Sequence, residues 1–180
     1  VMPNGGIRMI ATDGAGSGAA VTDVLDVLGG TGNVGLGSGA FGTGLTTGTD
    51  NVAIGEAAGD ALTSGSDNTF VGDNAGGANS TGSNNTAVGS GALDANTTAS
   101  GGTAVGMQAL SSNITGAENT AVGINSLFTN TTGTANVGIG YQALYTNNAN
   151  YNTAVGYNAL VSNTTGADNV AMGYNALDAN

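Results

Sequence analysis

Three tyrosines, Tyr141, Tyr157 and Tyr174, recur at spacings of 16 and 17 residues. Aromatic rings that carry hydroxyls are suited to contact sugars, so these three are the candidate ligand-binding residues; the alternative is that they stack on one another and seal a seam. Acidic residues recur in the same way, with Glu56 and Asp73 separated by 17 residues, as are Asp50 and Asp67. Carboxylates stacked closely repel, and a bound Ca²⁺ would relieve that, but calcium sites gather more oxygen ligands than such pairs supply. Solvated acidic corners are therefore expected, and no metal is assigned. The calcium-roll phrase Gly-Gly-x-Gly-x-Asp fails, because Gly29-Gly30-Thr31-Gly32-Asn33 runs into Val34. A glycosidase needs only a carboxylate pair, yet the acids gather at turn positions with no aromatic-walled cleft beside them, so no catalytic residue is assigned. Gly-x-Gly-x-x-Gly occurs at Gly30/Gly32/Gly35 and Gly37/Gly39/Gly42. With 34 glycines in the chain the match is expected by chance, and no helix pattern follows to hold a phosphate.

Composition removes most other chemistry. The 180 residues contain no cysteine, histidine or lysine, which excludes disulfides, zinc sites, Ser-His or Cys-His nucleophiles, Schiff bases and P-loop lysines. No cofactor is implied. Twelve acidic residues face a single basic one, Arg8, for a net charge of -11; this opposes nucleic acid and anionic headgroups as partners. No apolar run approaches the roughly 20 residues needed to span a bilayer, and the N-terminus lacks the order of a signal peptide. Beginning at Val1 rather than at Met, the chain is read as a segment of a longer or processed one.

The elements that position these residues come from a repeat. The phrase Asn152-Thr153-Ala154-Val155-Gly156 begins again at Asn33, Asn51, Asn68, Asn85, Gly102, Asn119, Asn136 and Asn169, with spacings of 16 to 18 residues and mostly 17. A strict period means one unit stacked along an axis. Counting columns from this first residue, column one is Asn in eight of nine copies, column two is Val or Thr, and column four is Leu, Ile, Val or Met. Column five is Gly in all nine, and must end a strand in a backbone state that a side chain would hinder. Column nine is Leu in six copies and column twelve is Asn in seven. The Asn-x-Thr sequences at Asn79, Asn96, Asn113, Asn130 and Asn163 fall in column twelve, so turn and ladder hydrogen bonding is expected there rather than glycan attachment.

Each unit then reads as strand, corner, strand, turn. Seventeen residues cannot bury an apolar face alone, whereas parallel stacking at about 4.8 Å lets each column pack on itself. The expected fold is an all-β parallel β-solenoid of nine ~17-residue coils over residues 33–180, with columns two, four and nine supplying the apolar packing. In that reading Val122→Asp puts a charge in a dry stack. Column three is nearly always Ala or Gly, so both strand faces are restricted, which suggests close approach of a second chain. Residues 1–32 do not fit the register and are expected to be a cap or junction. Within them Ile7 to Ile10 suggests a short strand, and the spacing of Val21, Val24, Leu25 and Leu28 predicts a short helix.

Asp50-Asn51-Val52-Ala53-Ile54-Gly55 resembles the head repeats of YadA-like trimeric autotransporter adhesins, and Asn152 to Leu160 resembles the repeat shafts of bacteriophage tail fibres. The likeness covers about residues 33–180. It implies a left-handed β-roll and a homotrimer: a structural or adhesive shaft, extracellular or on a virion, that touches a cell-surface glycan or protein receptor. Enzymatic activity is not expected. The rival from another class is an ice-binding β-solenoid, suggested by the Thr-rich columns two and fourteen.

Overall fold

In a computed structural model of the chain, residues 10–12, 21–23, 32–42, 44–45 and 47–178 are described. Strands β1 (Ile10–Thr12) and β2 (Val21–Asp23) form an antiparallel pair. The segment 21–23 is thus extended rather than helical; residues 7–9 and 24–28, which carry the rest of those two expectations, lie outside the described residues.

The nine phrases become nine three-residue strands: β3 (Val34–Leu36), β4 (Val52–Ile54), β5 (Thr69–Val71), β6 (Thr86–Val88), β7 (Thr103–Val105), β8 (Thr120–Val122), β9 (Val137–Ile139), β10 (Thr153–Val155) and β11 (Val170–Met172). They form one parallel sheet in chain order, each column paired with itself from coil to coil, as in Thr86↔Thr103 and Val88↔Val105. The chain is an all-β solenoid of about eight turns, with no helix among the described residues.

Which face turns inward is the reverse of the expectation. The middle residue of every strand, column three, is buried, while columns two and four are half-buried or exposed. The reason is width. Column-nine leucines Leu93, Leu110, Leu127, Leu144 and Leu160 reach into the coil and are essentially fully buried; between them and the sheet there is room for Ala or Gly. Exchanges of volume support this. Column nine is Gly at Gly59 and Gly76, and there Phe70 occupies column three; a Cβ on those glycines would stand 2.9 and 2.5 Å from its ring. Gly138 yields in the same way to the buried Ser126, whose hydroxyl donates to the Gly138 carbonyl at 2.8 Å. Val122 therefore projects from the core rather than into it.

The stretch expected as a second strand is a turn in which columns seven and nine are left-handed: φ is 55° at Gln108, 54° at Leu110, 57° at Asn125 and 52° at Leu127. Each left-handed non-glycine residue costs about 1–2 kcal/mol, which burial of a leucine, worth about 1.5–3 kcal/mol, offsets. The conformation also satisfies the backbone. Column-seven N–H groups donate to the preceding coil (Gln108 to the Ser90 carbonyl, 2.9 Å) and column-nine N–H groups to the following one (Leu110 to the Ser126 carbonyl, 2.9 Å).

Two asparagine ladders complete the interior. In column one, Asn51 donates its backbone N–H (2.9 Å) and Nδ2 (3.0 Å) to Oδ1 of Asn33, and Nδ2 also reaches the Gly65 carbonyl. In column twelve, Nδ2 of Asn96 meets Oδ1 of Asn79 at 2.6 Å and Nδ2 of Asn113 meets Oδ1 of Asn96 at 3.1 Å. Both ladders are interrupted where the repeat is. Asn147 turns its Nδ2 to the Ala149 carbonyl in the shortened 16-residue coil, leaving Oδ1 of Asn130 buried without a partner. Gly102 leaves a gap in column one, where only its N–H reaches Oδ1 of Asn85. Gly102→Asn is expected to close that gap: side-chain hydrogen bonds at about 1 kcal/mol each and a less flexible unfolded chain at about 0.4–1 kcal/mol predict a gain of roughly 1–3 kcal/mol, read as a raised urea midpoint.

Candidate functional site

The three tyrosines form one ladder. Each follows a column-five glycine, Gly140, Gly156 or Gly173, at φ 130°, 141° and 127°, and each glycine N–H donates to the preceding strand (Gly156 to the Ile139 carbonyl, 2.8 Å). On the other side, the N–H of Asn158 donates to the Tyr141 carbonyl and that of Asn175 to the Tyr157 carbonyl, both at 2.9 Å. With the backbone pinned on both sides, ring spacing is set by coil spacing: centroids of Tyr141 and Tyr157 lie 4.9 Å apart and those of Tyr157 and Tyr174 5.4 Å apart, each pair inclined by 17°. The rings therefore cover much of each other's faces, and their edges and hydroxyls are what the outside meets. Exposure rises along the ladder from 38% at Tyr141 through 46% at Tyr157 to 74% at Tyr174.

A second stack, Phe128 on Tyr145 at 5.2 Å and 9°, stands in column ten. The signal in the sequence is the shared column: the two residues are 17 apart. Tyr151 is exposed and has no stacked ring among the described residues.

The acids remain solvated corners. Glu56, Asp73, Asp50 and Asp67 are exposed, and among the described residues no group of three or more His, Cys, Asp or Glu converges as a metal site. Asp94 differs: partial burial, then the nearby charge of Asp73, raise its carboxyl above the ordinary value of 3.8. Between that value and the raised one the folded state holds the proton more firmly than the unfolded state, so this group's contribution to stability falls as pH rises through the window. Asp94→Asn is expected to stabilise the fold at neutral pH and to make no difference below the ordinary aspartate range, as compared by urea unfolding at the two pH values.

The five sequon asparagines are buried, with Nδ2 engaged inside the coil, as at Asn113, which donates to the Gly116 carbonyl at 2.9 Å. Of the glycine patterns, Gly37, Gly39 and Gly42 line the corner and turn of the first coil. Gly30 lies outside the described residues.

The most extensive surface feature is not apparent from the sequence, where aliphatic columns two and four suit a core equally well. They form the outer face of the nine-stranded sheet: Thr or Val in one row and Leu, Ile, Val or Met in the next, without a charge in either. In the middle of the rod Ile54, Val88, Val105 and Ile139 are 37–39% exposed. The signal was Phe70, the one large residue in column three, which coincides with the glycines of column nine. No helix of the described residues is long and apolar enough to cross a membrane. Comparison with protein-family models, with curated proteins and with solved structures finds no match to this chain, so its role is read from its geometry.

Proposed function

We propose that this chain is a segment of a rigid homotrimeric shaft, outside a cell or on a virion, that serves a structural or adhesive role and carries no catalytic step. The observation behind this reading is the uncharged outer face of the sheet, running the length of the rod. Apolar surface that extensive marks an interaction site. Columns two and four of the nine strands, two residues from each, contribute 18 residues to it, close to the about 20–30 residues a side of a standard interface. Three copies around one axis with this face inward would cover it in all of them, and the likeness of the repeat to surface fibres favours that arrangement. The net charge of -11 opposes nucleic acid or an anionic membrane as partner. A receptor glycan or protein would meet the nearly neutral C-terminal coils at Tyr141, Tyr157 and Tyr174, chiefly through ring edges, hydroxyls and the most exposed ring.

Val122→Asp tests the assembly. Its charge reaches water in a lone chain but faces other copies in the trimer, so light scattering is expected to give a trimer for the parent and a folded monomer for the variant. A parent protein that is itself a folded monomer would falsify the shaft reading. Glycan-array binding lost on Tyr157→Ala checks the receptor edge.

One observation favours a second reading. Columns two and four both face outward on one sheet, so Thr/Val and aliphatic rows repeat at about 4.8 Å, the regular hydroxyl-and-methyl array that an ice-binding surface needs. Thermal hysteresis from a monomer would replace the shaft with this function.

A further inference from the structure

The chain has no cysteine and so no disulfide to tie one coil to the next. Its coils are held by hydrogen bonds and packing, and each coil of such a stack contacts only its neighbours. The Tyr141–Tyr157–Tyr174 ladder supplies another kind of tie. Successive phenol rings stand 4.9 and 5.4 Å apart, centroid to centroid, and are nearly parallel, so neighbouring phenols are stacked within one chain. All three side chains are exposed, and the backbone bonds described above hold the register.

We propose that this ladder is a site of oxidative phenol coupling, at which hydrogen peroxide and a haem peroxidase join Tyr157 to Tyr141 or to Tyr174 as dityrosine. Each of two phenols loses one electron and its hydroxyl proton to become a phenoxyl radical. The radicals combine through one new carbon–carbon bond between ring positions ortho to oxygen. Each bonded carbon then passes its hydrogen, as a proton, to the oxygen of its own ring, which restores both phenols. The peroxide O–O bond breaks, takes up the two electrons and two protons, and leaves as two waters, so the chain ends two hydrogen atoms lighter. The product is a covalent bond between neighbouring coils.

The rest of the molecule sets the selectivity. Tyr145 stacks on Phe128, which has no hydroxyl to oxidise, and Tyr151 has no stacked ring among the described residues. Tyr157 alone touches two phenols, so it takes part in either coupling. This inference goes beyond the shaft reading and does not depend on it, because the reacting rings belong to one chain.

The test treats the full chain with hydrogen peroxide and a haem peroxidase. Blue dityrosine fluorescence is expected with a band that stays at the single-chain position on a denaturing gel, a mass lower by two hydrogens, and a cross-linked peptide containing Tyr157. Tyr157→Phe keeps a ring in the stack but removes the shared phenol, and is expected to abolish this intrachain product. Tyr145→Phe and Tyr151→Phe are expected to leave it unchanged. Circular dichroism establishes that each variant is folded. An undiminished intrachain product in Tyr157→Phe, coupling that maps to Tyr145 or Tyr151, cross-links only between chains, or no dityrosine in the folded parent would each overturn the proposal.

Discussion

Replacing Ala121 with Asp is expected to unfold the coils around β8 even in an isolated chain, while Val122→Asp, one residue on, leaves that chain folded. Ala121 is fully buried and pairs in register with Ala104 and Gly138. The single charged side chain of the sequence beyond acids is Arg8, outside the described residues, so no cation of the solenoid can pair with a carboxylate there. An unpaired carboxylate taken from water costs several kcal/mol, and its extra volume in a packed core adds about 1–3 kcal/mol. Together these rival the about 5–15 kcal/mol that holds a typical domain together. Val122 instead stands on the outer face, partly exposed, where the change forfeits about 1 kcal/mol of strand preference. Urea unfolding followed by circular dichroism compares the two; equal stability would mean that the inside and outside of the sheet are misassigned.

Gly89→Ala is expected to cost roughly 3–5 kcal/mol, the sum of left-handed strain and overpacking. Gly89 has φ 136°, and a Cβ there would lie 2.5 Å from the carbonyl oxygen of Gly106, 2.7 Å from its carbon and 3.1 Å from the Met107 nitrogen. All three are backbone atoms of the next coil, and the 2.8 Å bond from the Gly106 N–H to the Val88 carbonyl holds that coil in place. The coils would have to part to admit a methyl group. Gly91→Ala is the matched control. Its φ of 64° is close to the 51° of Ala57 in the same column, and the nearest atom to its Cβ would be the flexible Gln108 Cγ at 3.5 Å. Thermal unfolding of the two variants separates contact with backbone from left-handed conformation, since both positions have positive φ and only one is crowded.

The repeat by itself determined the period, the parallel stacking of nine strands and the column-five corner, because identical phrases at a constant interval have few ways to bury themselves except on copies of themselves. Column identity also carried the Tyr141–Tyr157–Tyr174 ladder and the engagement of Asn79, Asn96, Asn113, Asn130 and Asn163 within the fold. Alternation along a strand told that columns two and four oppose column three. It did not tell which side was inner, since aliphatic residues suit either a core or a face to be covered. Only the tertiary structure decided that. A left-handed turn, rather than a second strand, carries Leu110 and its equivalents across the coil, and the space they leave beneath the sheet admits Ala104 or Ala121 but not Val105 or Val122. Conformation at the turn and width of the interior are properties of the closed coil, which is why Thr103 and Val105 end on the outside and give the rod an uncharged face.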